Sequence, residues 1–145
     1  MEEISFNLYQ EGNGINIYNW RIPRRASDDG YTWMSATIEI KTARFSANFP
    51  LQFITLEIED LEQGFANLAN NLKGTFRFGT MERNLELDMK GDGIGHFNIH
   101  GVAQYGDQLI FYMQFELTKM IDAAIQLKSI ISRFPKGSEN GQVEV

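Results

Sequence analysis

The stretch DQLIFYMQFELTKMIDAAIQLKSIISRFP, Asp107 to Pro135, decides the fold. Leu109, Phe111, Met113, Phe115 and Leu117 alternate with Ile110, Tyr112, Gln114 and Glu116, the period of a strand with one wholly apolar face. The period then changes. Met120, Ala124, Leu127, Ile131 and Phe134 recur at helical spacing, with Ile121, Ile125 and Ile130 beside them, which predicts a helix with a broad apolar face. Thr118 suits the N-cap and Pro135 the stop. A strand and a helix this apolar must bury each other, so they mark the centre of a core.

Upstream, the same two periods recur. Ile4, Phe6 and Leu8 alternate with polar neighbours, and Glu11-Gly12-Asn13-Gly14 carries the Asn-Gly hairpin signal, since both residues tolerate positive φ. Ile15 to Ile22 returns, with Tyr18 and Trp20 expected opposite Ile15 and Ile17. Pro23 to Gly30 is a polar loop. Met34, Ala36, Ile38 and Ile40 face inward on a third strand, and Phe45, Ala47, Phe49, Leu51 and Phe53 on a fourth, where Pro50 indicates a break or an edge position. Ile58, Leu61, Phe65, Leu68 and Leu72 then form a helical stripe from an N-cap at Thr55 to a cap at Lys73-Gly74, with Gly64 allowing close packing.

Four more strands precede the last helix. They are marked by Phe76 and Phe78, by Leu85, Leu87 and Met89, by Phe97 and Ile99, and by the alternation that follows the Gly106-Asp107 turn, with a further turn at Gly91-Asp92-Gly93. The pattern predicts an α+β chain in ββββα-ββββα order. An antiparallel sheet of about eight strands would have two helices on one face, with two packed sheets as the alternative. Residues 1–135 form one domain, and 136–145 lack periodicity and are expected to be a flexible tail.

A chain of 145 residues without cysteine has no disulfide framework and no thiolate metal site. The acidic start Met1-Glu2-Glu3 lacks a signal-peptide profile, and no apolar run reaches membrane-span length; both favour the cytoplasm and no membrane partner. The net charge of −6 disfavours nucleic acid as a direct partner and suits a basic protein.

No reaction centre is legible. His96 and His100 would share a helix face, but on a strand they stand about 13 Å apart, too far for one metal ion. There is no Gly-x-Ser-x-Gly elbow, and Gly91-Asp92-Gly93-Ile94-Gly95 lacks the Lys-Ser/Thr of a phosphate loop and precedes a strand. Asp28-Asp29-Gly30 lacks the later glutamate of a calcium loop. Neither a cofactor, a metal nor an enzymatic activity is expected. What remains is the outward face of the last strands, where Glu86, Asp88, His96, Asn98, His100, Tyr112, Gln114 and Glu116 point away from the helices. An acidic face with interleaved aromatics suits protein docking, and Glu86, Asp88, His96, His100, Tyr112 and Glu116 are the candidate contacts.

Particular runs sharpen this. Tyr31-Thr32-Trp33-Met34 leads into Ile38-Glu39-Ile40, then Phe45-Ser46-Ala47-Asn48-Phe49 and Thr55-Leu56-Glu57. Met81-Glu82 precedes Leu85-Glu86-Leu87, followed by Gly95-His96-Phe97-Asn98-Ile99-His100-Gly101, Leu109-Ile110-Phe111 and Arg133-Phe134-Pro135. From Ile15 to Pro135 this resembles the WapI family of bacterial immunity proteins, differing where that family often has Asp-Gln entering the last helix. The resemblance implies a non-catalytic antidote, cytoplasmic, that binds the C-terminal domain of a polymorphic toxin, a tRNA-directed nuclease in the name-giving case. A small-molecule-binding domain, with a pocket between Phe-rich faces, is the alternative.

Overall fold

The computed structural model describes residues 4–135; the expected tail at 136–145 lies outside them. The elements are β1 (Phe6–Gln10), β2 (Asn13–Arg21), β3 (Trp33–Lys41), β4 (Ser46–Ile54), α1 (Thr55–Asn71), β5 (Lys73–Gly79), β6 (Leu85–Asp92), β7 (His96–Tyr105), β8 (Asp107–Glu116) and α2 (Leu117–Ile131). The α+β class, the ββββα-ββββα order and eight antiparallel strands are as expected. The strands divide into two meanders of four, β1-β2-β3-β4 and β5-β6-β7-β8. A helix, not a hairpin, joins β4 to β5, so these strands do not become neighbours. Alternation assigns faces, and the same inward residues serve one sheet or two.

The first hairpin turns one dipeptide earlier than the Asn-Gly signal suggests. Glu11 and Gly12 take the positive φ values, 52° and 85°, and Asn13 and Gly14 belong to β2. Only this turn sets Leu8 opposite Ile15 and Phe6 opposite Ile17, so cross-strand apolar pairing selects it over the stronger local signal. Further along β2 a bulge at Asn19, φ 55°, interrupts the alternation. Trp20 therefore turns inward, against the expectation for that position. It packs edge-on against Phe53 and donates its indole N–H to the Ile17 carbonyl at 2.9 Å. Pro50 lies on β4, an edge strand of its sheet.

Both helices start directly off a strand. The N-caps are Ile54 and Glu116, not the expected threonines. No cap side chain serves α1; Glu57 instead reaches back to accept from the Ile54 N–H at 2.9 Å. The C-terminal cap of α1 is Leu72 in left-handed conformation, ahead of the expected Lys73-Gly74, and Lys73 already opens β5. Buried Ile58, Leu61, Phe65 and Leu68 of α1 correspond position for position to Met120, Ala123, Leu127 and Ile130 of α2. One apolar cluster joins these residues to the inward positions of both sheets.

The helices pack on each other, α1 along β5 and α2 along β1. Each helix–strand contact has its own device. Gly64 lets the Phe76 ring close on α1; an added Cβ would stand 2.5 Å from the ring Cζ. On α2, the Gln126 carboxamide accepts from the Asn7 N–H at 2.7 Å and donates to the Asn7 carbonyl at 2.8 Å. That occupies backbone groups that edge strand β1 would otherwise leave open.

Candidate functional site

The outer face of the second sheet is built by register. Inward Leu85, Leu87, Met89, Phe97, Ile99, Phe111, Met113 and Phe115 are buried, so their neighbours on β6, β7 and β8 must point out. Strand pairing aligns them in cross-sheet rows. One row is Arg77–Asp88–His100–Tyr112, and the next is Thr75–Lys90–Asn98–Gln114. Glu86 lies one row to the other side, paired with Val102.

The first of these rows holds two side-chain pairs. Arg77 Nε donates to Asp88 Oδ1 at 2.7 Å, and both groups are exposed enough that the pair contributes little to stability. His100 and Tyr112 stack flat, centroids 4.6 Å apart and planes 5° from parallel, although Tyr112 is 72% exposed. A groove of about 960 Å³ runs over this centre, lined also by Asn13 from the first sheet. It lies on the outer face of the sheet, not between Phe-rich layers.

The six expected contact residues therefore separate into groups. Asp88, His100 and Tyr112 stand side by side in the groove, and Glu86 borders them. His96 and Glu116 pair at the far end of the face, about 13 Å along the strands from the His100–Tyr112 row. Each has a local role there. Asp92 Oδ1 accepts from the backbone N–H groups of Ile94 at 2.8 Å and His96 at 3.1 Å, and Oδ2 meets His96 Nδ1 at 2.9 Å. Those bonds, first Ile94 and then His96, hold the Asp92 carboxyl down at about 2. Glu116 accepts from Gln10 Nε2 and donates its backbone N–H to Gln10 Oε1, both at 3.0 Å, tying the two sheets together.

The face is also less acidic than expected. Arg77 arrives from β5 and Lys90 from β6 beside Asp88. Arg77 carries little signal of its own in the sequence, where Phe76 and Phe78 mark the strand; the alternation that buries Phe78 also turns Arg77 outward. Lys90 and Thr75 follow the same parity. Asn13 carried no such signal, since it comes from the other sheet. Among the described residues, no group of three or more histidine, aspartate or glutamate side chains converges to hold a metal ion. No helix among them is long and apolar enough to cross a membrane.

A family model described as the immunity protein WapI-like family matches residues 7–135, most of the chain. No curated protein matches it.

Proposed function

The chain belongs to the immunity protein WapI-like family, and from that premise we propose that it binds and neutralises a cognate toxin domain through the outer face of its second sheet. It acts as a stoichiometric blocker in the cytoplasm, not as an enzyme, and the unit that does so is the domain ending at Pro135. The observation that carries the choice of surface is the exposed Tyr112 stacked on His100 beside the Arg77–Asp88 pair, over a groove of about 960 Å³. Tyrosine and arginine at the centre of a concave patch, ringed by amides and hydroxyls, are the composition of a protein-binding hot spot. Tyr112 and His100, already stacked, lose little rotamer freedom on docking.

The toxin class that fits is a nuclease. Its substrate surface must be basic to hold phosphates, and Glu86 and Glu116 stand on this face to meet such a surface on either side of the groove. Occupying the substrate surface would exclude RNA without any chemistry. The test is capture of tagged chain from its native bacterium, identification of the bound species by mass spectrometry, and titration of the recovered toxin domain in rising salt. A toxin fragment bound in equimolar ratio, its affinity falling as salt rises, supports the assignment. Charge reversal at Glu86, Asp88 and Glu116 that left affinity unchanged would refute this face as the docking surface.

A further inference from the structure

A second surface lies on the helices, away from the sheet face. Ile121 and Ile125 stand one turn apart on α2, 43% and 62% exposed, and form an apolar ridge. Beside the ridge runs a trough of about 440 Å³, floored by Ala66 and Ala69 of α1 and Ala124 of α2. Ridge and trough are neighbours on one patch, with Ile121 and Ile125 forming one wall of the trough. The charged groups in its lining are Glu62 and Lys128, one of each sign.

From this we propose that the helix face is a self-association surface whose occupant is a second copy of this chain. A two-fold axis through the patch seats the Ile121–Ile125 ridge of one copy in the alanine trough of the other, and the reverse, which is the isologous arrangement of most homodimers. Charge favours the same occupant. The whole chain carries −6, so two copies repel in general, yet this lining sums to zero and offers Glu62 and Lys128 to the opposite signs on the partner. Size is modest. Helices of 17 and 15 residues are roughly 25 and 22 Å long. Packed side by side about 9 Å apart, they present a face of roughly 475 Å² in projection, below the roughly 800 Å² per partner of a standard interface, which suits a weak, dissociable dimer. The dimer leaves both second-sheet faces uncovered, so it would carry two partners at once.

The test is analytical ultracentrifugation of the full chain from about 1 to 100 µM, the range in which a modest interface dissociates. The expected result is a dimer mass that falls to monomer on dilution. Ile125→Lys and Ile121→Glu, both at exposed positions, should keep the circular-dichroism spectrum and melting temperature and weaken dimerisation at least 30-fold. Ala66→Arg, which fills the trough instead of blunting the ridge, should do the same. A full chain monomeric at 100 µM would overturn the proposal, as would a dimer indifferent to all three substitutions. Neither outcome bears on toxin binding.

Discussion

Replacing Gly101 with alanine isolates one steric contact at the heart of the second sheet. Gly101 lies on β7 directly opposite Phe111 of β8, and its φ is outside the left-handed region. Backbone considerations alone therefore favour alanine, which would stabilise by about 0.4–1 kcal/mol by restricting the unfolded chain. Packing opposes it. An added Cβ would overlap three carbons of the Phe111 ring, the farthest at 2.7 Å, where real Cβ contacts essentially never fall below 3.0 Å. The ring is 2% exposed and cannot swing into solvent. Overpacking of this kind costs roughly 1–3 kcal/mol or more, so the net expectation is about 2 kcal/mol of destabilisation. For a chain of this size that is a fall of roughly 4–8 °C in Tm. Phe111→Leu alone should cost about 1–2 kcal/mol through lost burial. In the double variant the new methyl occupies space the ring vacated, so the combined cost should fall short of the sum by about 1 kcal/mol or more. Urea unfolding at constant m-value measures each corner of this cycle. A neutral or stabilising Gly101→Ala, or strict additivity, would refute the account.

Three further outcomes follow from the outer face and the strand edge. Tyr112→Ala should leave stability within about 0.5 kcal/mol, since the ring is mostly in solvent, but weaken toxin affinity roughly 30-fold; calorimetric titration showing less than a twofold change would remove Tyr112 from the interface. Asp92 is lowered from a usual value near 3.8 to about 2, so the fold favours its charged form. The stabilisation of the β6–β7 turn is then whole above about pH 4 and lost as pH falls through about 2. Carboxyl NMR should place the Asp92 midpoint near 2, Asp92→Asn should abolish that dependence, and a midpoint at the ordinary carboxylate value would contradict the hydrogen-bond geometry. Gln126→Ala removes both bonds to the Asn7 backbone and should cost about 1–2 kcal/mol; hydrogen exchange at the Asn7 amide should accelerate, and unchanged protection would show that the edge is closed by other means.

Most of the fold is legible because burial along most of the strands is periodic; Phe45, expected inward, is 70% exposed just ahead of β4. The alternation through Leu85, Leu87 and Met89, or through Phe111, Met113 and Phe115, places every outward residue as a corollary. What periodicity cannot express is where it is interrupted. The bulge at Asn19 is marked only by a residue that tolerates positive φ, so unbroken alternation places Trp20 on the wrong face. Glu11-Gly12 and Asn13-Gly14 are both competent turns, and a long-range consequence, the pairing of Leu8 with Ile15, decides between them. Nor does alternation say which strands are neighbours, so the division into two sheets stayed open. The outward direction of the aromatic and carboxylate residues of the second sheet is legible for the same reason, while Arg77 is overshadowed by the phenylalanines on either side. The local roles of His96 and Glu116 depend on a turn geometry and on a glutamine more than a hundred positions away, which no local window contains.

The closure of β1 by the last helix also sets a clock. Asn7 and the Gln126 that seals its edge are 119 residues apart. At a synthesis rate of about 5–20 residues per second, roughly 6–24 s pass between the appearance of the one and the other at the ribosome. Through that interval the first strand has its hairpin partner but an open outer edge, a template for pairing with any other chain nearby. Its brevity, five residues, limits how much such a stray partner could hold. Tying β1 to α2 therefore carries a delay: that edge is closed only when α2 has been made.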